Sequence, residues 1–151
     1  MEKTTIPFIV KNLKMPIRTG QYNGYVAVSP KSEFFGKTYD DYMVEELDVH
    51  GGITFSEPVT NGEYSATSHY EIKKELVGKV CPVAADAIRL DGSKEPIPTD
   101  WWILGFDTMH CDDTPEKWNK TSVGHETFRL EKQILEEDGL WDIIKMNATK
   151  D

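Results

Sequence analysis

The sequence predicts an α+β fold in which a mostly antiparallel sheet of about four to six strands carries a long C-terminal helix packed across one face. Several short segments have the composition of strands and are bounded by glycine, proline or asparagine. Strands and helices do not alternate in the regular way that a parallel, doubly wound sheet requires. The last helical segment has an apolar stripe, and the chain of 151 residues has the length of one domain. We therefore predict a single globular domain over residues 1–151.

Two strands are predicted near the N-terminus. The segment "IPFIVKNLK" at 6–14, followed by Pro16, predicts the first strand. The segment "NGYVAVS" at 23–29 predicts the second, with Asn23 and Gly24 as a turn signal before it and Pro30 at its end. Both segments favour an extended backbone.

Two helices and a third strand are predicted in the middle of the chain. The segment "KTYDDYMVEELD" at 37–48 predicts a short helix because apolar or aromatic residues recur every four positions. These residues are Tyr39, Met43 and Leu47. The segment "GGITFSE" predicts a strand that Pro58 ends. The segment "SHYEIKKELVGK" predicts a second helix, with Ser68 as its cap and Gly78 at its end. Residues 81–100 are predicted to be rich in loops.

The most apolar strand of the chain is predicted at "DWWILGFD", residues 100–107. Its adjacent tryptophans, Trp101 and Trp102, must face opposite sides of the sheet because side chains alternate along a strand. One of them could stack on a base or a sugar, or both could be packing residues. Because the strand is so apolar and small sheets leave edges, burial of part of it in a homo-oligomer is expected.

The last helix is predicted to begin with Thr121 or Ser122 as its cap. One helical face is apolar and should turn toward the core. This face consists of Val123, Thr127, Leu130 and Ile134. Glu126 borders the stripe, so its carboxylate should either find a partner, since an unpaired buried charge is costly, or extend to solvent along the edge. We expect Glu126 to point inward and to accept a hydrogen bond from the region of His50 or His110.

Charge, apolar runs and cysteine content indicate which partners and which cell compartment the protein is expected to have. Lys and Arg total 17 and Asp and Glu total 26, so the net charge is −9, which disfavours binding to nucleic acid or to anionic membranes. The apolar runs are shorter than the roughly 20 residues that span a bilayer, and "MEKTTIPFIV" does not have the pattern of a signal peptide. Cys81 and Cys111 are expected to be reduced thiols. These features predict a cytoplasmic protein.

Five blocks of sequence resemble an uncharacterised family of small proteins that is common in bacteriophage genomes and in prophage-bearing bacteria. The blocks are "GYVAV" (24–28), "VHGGITFS" (49–56), "WWILGFD" (101–107), His110 with Asp113, and Val123, Glu126, Leu130 and Gln133. The resemblance extends from 24 to 134, and the HGG and GFDxxH blocks are its most specific parts. The chain differs from the family pattern at Asp112, where a glycine usually precedes the aspartate. The resemblance implies a phage origin and no established activity.

The first candidate site block is His50, Gly51 and Gly52. Two adjacent glycines permit positive φ and expose backbone N–H groups that could hold an anion or a ligand carbonyl. Alternatively, the glycines form a tight turn into a strand and His50 is a core histidine with satisfied hydrogen bonds.

The second block is Asp107 and His110, three positions apart where a strand ends. An aspartate beside a histidine fixes the imidazole tautomer, which suits general-base catalysis, metal ligation and ligand binding alike. Together with His50, Asp113 and Glu126, these residues could hold a divalent ion such as Zn, Mn or Fe, although the spacing matches no standard metal motif. No GxSxG, Walker or GxGxxG motif is present.

Three classes of function follow from these observations. The preferred hypothesis is a phage-derived protein that captures a small molecule, such as a nucleotide signal of a bacterial anti-phage defence system, and needs no cofactor. The alternatives are a small metal-assisted hydrolase that uses His50, Asp107, His110 and Glu126, and an inhibitor that binds a host protein through its acidic surface. Arg89 or Arg129 could clamp a phosphate. The predicted ligand-binding residues are His50, Gly51, Gly52, Trp101, Trp102, Asp107, His110, Asp113, Glu126 and Arg129.

Overall fold

A computed structural model of the protein describes residues 3–13, 18–60 and 79–140. Its strands are β1 (Thr5–Lys11), β2 (Tyr22–Val28), β3 (Phe55–Pro58), β4 (Ile88–Arg89) and β5 (Trp102–Phe106). Its helices are α1 (Tyr42–Glu45), α2 (Pro82–Ala85) and α3 (Lys120–Glu137). The helix predicted from Ser68 to Gly78 lies outside the described residues. None of the described helices is long and apolar enough to cross a membrane.

The five strands form one sheet in the order β3-β5-β2-β1-β4. All four neighbouring pairs are antiparallel. The two N-terminal strands pair along their whole length, from Thr5 opposite Val28 to Lys11 opposite Tyr22. Helix α3 packs on β1 and β2. The α+β fold predicted from the sequence is therefore confirmed.

Apolar residues cover both faces of the sheet. On one face, Val26, Trp102 and Leu104 pack in the same cluster as the buried side chains of α3. On the other face, Tyr25 and Ile103 pack in a cluster that includes Cys81 and Ile97. Strand β5 lies between β3 and β2 and is buried at every position, which explains its continuous apolar sequence. The strand that suggested an oligomer is thus covered within the chain.

Helix α3 presents the predicted stripe to the core. The residues of this stripe, Val123, Thr127, Leu130 and Ile134, are all fully buried. The predicted cap was wrong, because Asn119 is the N-cap and its side chain accepts hydrogen bonds from the N–H groups of Thr121 and Ser122. The Ser122 hydroxyl in turn accepts the N–H of Asn119, which completes a capping box.

Three local predictions need correction. Asn23 and Gly24 lie inside β2 and do not form a turn. Position 24 requires glycine because a side chain there would collide with Thr127 and Phe106 where α3 crosses the sheet. The helix predicted at 37–48 is one turn, α1, and the strand predicted from Gly51 begins only at Phe55. Residues 81–100 are rich in loops, as predicted, and contain only the four-residue helix α2 and the two-residue edge strand β4, which pairs with β1.

Candidate metal site

The antiparallel pairing of β3 with β5 brings two turns together. Phe55, at the start of β3, pairs with Gly105 near the end of β5, and the N–H of Thr54 donates to the carbonyl of Gly105 at 2.9 Å. The chain that enters β3 therefore lies beside the chain that leaves β5. These two segments contain the HGG block and the GFDxxH block, respectively.

The HGG block forms a tight turn with both glycines in the left-handed region, at φ +71° for Gly51 and +80° for Gly52. The predicted need for positive φ is confirmed. The N–H of Gly52 donates to the carbonyl of Val49 at 2.9 Å, and the N–H of His50 donates to Glu126 at 2.8 Å. Because the N–H groups of Gly52 and His50 already have partners, these two groups are not available to an anion.

Asp113 links the two histidines. Its Oδ1 accepts a hydrogen bond from Nε2 of His50 at 2.8 Å, and its Oδ2 accepts the backbone N–H of His110 at 2.8 Å. The N–H of Asp113 also donates to the carbonyl of His110 at 3.0 Å, and Asp112 adopts φ +73° within this turn. The Asp113 side chain is only 4% exposed. A buried carboxylate with two donors holds the histidine turn against the turn that follows β5.

His50, His110 and Asp113 have the geometry of a metal-binding group. The two imidazole rings lie edge to face with their centroids 5.3 Å apart. One donor atom from each of the three side chains lies within 4.8 Å of the donor atoms of the other two. In the described part of the chain, this is the only group of three or more His, Cys, Asp or Glu side chains that meets this criterion. The structure thus brings His50 and His110 together, as expected for a shared site, but Asp107 is not one of the three converging side chains.

The Nε2 atom of His110 is buried and has no hydrogen-bond partner. It lies 3.3 Å from Oδ1 of Asp107, close enough for an ion pair, but this approach does not have the alignment of a hydrogen bond. The same Asp107 oxygen accepts the N–H of Met109 at 2.9 Å. A side chain at Gly51 would collide with His110 Nε2. Nε2 of His110 therefore lies against Gly51, and its lone pair or proton has no hydrogen-bond partner.

Trp118 forms one wall beside His50. The two rings are tilted by 31° and their centroids are 4.2 Å apart. This contact favours one orientation of the imidazole. The sequence left the role of Trp118 undecided, because the segment "TPEKWNK" has no periodic pattern and nothing in its spacing connects it to a histidine 68 positions away.

Helix α3 supports the histidine turn from the side. Oε2 of Glu126 accepts the His50 N–H, and Oε1 accepts Nε of Arg129 at 2.7 Å. Arg129 also reaches the carboxylate of Asp48 at 3.1 Å. Burial alone would raise the pKa of Glu126, but hydrogen bonds from Arg129 and the His50 N–H outweigh it and hold that pKa below its ordinary value. The prediction that Glu126 points inward and accepts a bond from the His50 region is confirmed.

Gln133 adds two further bonds to the same turn. Its Oε1 accepts the backbone N–H of Asp48 at 2.8 Å, and its Nε2 donates to the backbone carbonyl of Asp48 at 2.9 Å. The sequence relates Gln133 only to a family block and Arg129 only to binding of a phosphate or another ligand. We call Glu126, Arg129 and Gln133 the helix clamp.

The remaining predicted ligand residues lie elsewhere. Trp101 and Trp102 are at the opposite end of β5 from the histidines, and both pack against apolar clusters, on opposite faces as predicted. The indole N–H of Trp102 donates to Ser56 at 3.0 Å. Arg89 lines a separate cavity of about 390 Å³ at 80–97, but its guanidinium is held by Asp91. The structure therefore divides the predicted ligand set between two regions.

Comparisons with protein-family models, with curated proteins and with solved structures gave no match to this chain. The fold and the site define an α+β protein with a cluster of two histidines and one carboxylate where β5 ends. Asp107 and Asp113 contribute negative charge to this cluster, while Arg129 is paired with Glu126 and Asp48. The local charge favours a cation as the ligand.

Proposed function

We propose that the protein binds one divalent first-row transition metal ion through His50, His110 and Asp113. The observation that carries the proposal is the convergence of their donor atoms within 4.8 Å, where Nε2 of His110 is buried without a hydrogen-bond partner. Imidazole nitrogen and carboxylate oxygen are common ligands of Zn, Mn and Fe in proteins. Two histidines and one carboxylate are one of the three-ligand sets with which catalytic zinc sites leave a fourth position open for water.

The distance between two of the ligands, His50 and Asp113, needs only a small adjustment to accept an ion. The hydrogen bond between His50 Nε2 and Asp113 Oδ1 is 2.8 Å long. Neighbouring ligands of a tetrahedral zinc ion, at about 2.0–2.1 Å from the metal, are separated by roughly 3.3 Å. The two side chains would therefore move apart by about half an ångström as the ion replaces the shared proton. Metal binding should weaken in acid because the histidines must be unprotonated to act as ligands.

Metal-assisted hydrolysis is the reaction class that this site supports. A bound ion lowers the pKa of a coordinated water and makes it a nucleophile at neutral pH. Asp107 is not one of the three converging ligands, but its Oδ1 lies 3.3 Å from His110 Nε2, at the edge of the site. From this position its carboxylate could accept a proton from a coordinated water.

Metal titration of the protein after chelator treatment tests the proposal. We expect one Zn, Mn or Fe ion per chain by calorimetry and elemental analysis, with at least tenfold weaker binding in His50→Ala and His110→Ala. His125→Ala is the matched control because His125 is exposed on α3. Equal affinity in the wild type, His110→Ala and His125→Ala would show that the ion binds elsewhere and would reject the proposed site.

Capture of a nucleotide signal by a phage-derived protein stays a prediction. Its predicted ligand set includes Trp101 and Trp102 as well as the histidine cluster, and these tryptophans lie at the far end of β5 from His50 and His110. Mass spectrometry of small molecules released from the denatured, purified protein tests this hypothesis, and an unmodified nucleotide in stoichiometric amount would support it.

A further inference from the structure

We infer that the helix clamp of Glu126, Arg129 and Gln133 positions the His50 ring for ligation. The inference rests on the proposed metal-binding function and assigns these three residues no contact with the ion. They act through the backbone of Asp48 and His50. The clamp positions the backbone of His50, and contacts with Asp113 and Trp118 position its imidazole ring.

The clamp residues lie on α3, which is packed against the sheet. They follow one another at intervals of three and four positions, so they share one face of α3. The same helix is anchored to the sheet by its buried stripe, in which Leu130 and Ile134 alternate with the clamp residues. Because the stripe is fully buried, the helix backbone that carries the clamp residues is held against β1 and β2.

The histidine turn needs such support. Gly51 and Gly52 both adopt positive φ, which glycine reaches without strain, and the unfolded backbone at glycine has more freedom to lose than at other residues. The clamp fixes three backbone groups on the N-terminal side of these glycines, which are the N–H and carbonyl of Asp48 and the N–H of His50. With these groups fixed, the peptide plane that precedes His50 and the position of its Cα atom are set. The side chain extends from that Cα atom to Asp113 and Trp118.

Arg129 holds the Glu126 carboxylate in position to accept the His50 N–H. It binds both oxygens of Glu126, at 2.7 Å and 3.2 Å, and reaches Asp48 as well. A carboxylate neutralised in this way has less attraction for a nearby cation, so the ion is left to His50, His110 and Asp113. Glu126 therefore orients the histidine and does not serve as a fourth ligand.

Gln133→Ala and Arg129→Ala test the clamp with two readouts. The first is metal affinity, which should fall tenfold or more in each variant, as is common when a group supporting a ligand is removed. The second is the nuclear Overhauser effect between the ring protons of His50 and Trp118 in the metal-free protein, which should weaken or vanish. Lys132→Ala is the control because Lys132 lies on the same helix and pairs with Glu136 of that helix at 3.8 Å. Both readouts should match the wild type in this control.

Gln133→Glu provides a second variant of nearly unchanged shape. Its carboxylate can still accept the Asp48 N–H but presents an oxygen that cannot donate to the Asp48 carbonyl, so both readouts should fall below the wild type. Wild-type affinity and wild-type ring contacts in Gln133→Ala and Arg129→Ala would overturn the clamp and leave the metal site standing. If the wild type binds no metal, the proposed function fails, and the ring contacts still decide whether the clamp positions His50.

Discussion

The backbone N–H of His50 donates to Oε2 of Glu126 at 2.8 Å, although 76 positions separate these residues in the sequence. This bond joins the turn before β3 to α3, which packs on β1 and β2. The His50 ring then reaches Asp113, which follows β5. A single histidine thus connects three segments through its backbone and its side chain, so the geometry of the site depends on the tertiary fold.

Glu126→Gln should destabilise the protein by about 1–3 kcal/mol, because it weakens the charge-assisted bonds to Arg129 and the His50 N–H. Chemical denaturation at neutral pH measures this change. Glu137→Gln is the control, since Glu137 is exposed near the end of the same helix and should change stability by less than about 0.5 kcal/mol. An effect of Glu126→Gln as small as that of the control would contradict a supporting role.

The same variant should reveal a pH dependence with a defined sign. Interactions in the folded state lower the pKa of Glu126 below its ordinary value of 4.5, so the charged form adds stability above that value. The contribution is lost as the pH falls through the lower folded pKa. The stability difference between wild type and Glu126→Gln should therefore be largest at neutral pH and should shrink on acidification. A difference that stays constant would mean that the charge of Glu126 is not its source.

Gly51→Ala should disrupt the metal site, whereas Gly52→Ala should not. Both glycines have positive φ, so either substitution should cost on the order of 1 kcal/mol through backbone strain. An added Cβ would collide with His110 Nε2 at Gly51 but would have no neighbour within 4 Å at Gly52. Metal affinity and the resonances of the His110 ring separate the two effects. Equal losses in both variants would show that strain alone matters.

Sequence patterns predicted the parts of this protein that depend on local periodicity. The stripe through Val123 and Ile134 is a property of one helix, so the position of Glu126 beside it could be read directly. The left-handed turn at Gly51 and Gly52 is likewise local.

The remaining features depend on contacts between distant segments. Asn23 and Gly24 resemble a turn, but the close approach of α3 requires glycine inside β2. The stacking of Trp118 on His50 and the pairing of β4 with β1 likewise join segments that no local pattern relates. The sequence therefore predicted which polar blocks were unusual, and the strand order was needed to show which of them meet.

Asn119→Ala should destabilise the protein by about 1 kcal/mol, because the Asn119 side chain accepts two N–H groups at the start of α3. Thr121→Ala is the control, since Thr121 was the alternative cap and contributes its backbone N–H, which the substitution keeps. Thermal and chemical unfolding measure both variants. A larger loss in Thr121→Ala than in Asn119→Ala would contradict the observed cap.

Glu131→Gln should stabilise the protein increasingly as the pH rises from about 4 toward neutrality. Burial raises the pKa of Glu131 above its ordinary value of 4.5, and nearby Asp91 adds to this, while a 2.8 Å hydrogen bond from Thr5 and the charge of Lys3 act in the opposite direction. The native state therefore holds the proton to higher pH than the unfolded state, and stability declines as the pH rises through this interval. Glutamine stays neutral and can still accept from Thr5, so the variant should match the wild type in acid and exceed it at pH 7. Urea unfolding at several pH values tests this expectation, and Glu137→Gln is the exposed control. If Glu131→Gln were less stable than the wild type at pH 7, the result would show that Lys3 and Thr5 favour the charged form of Glu131.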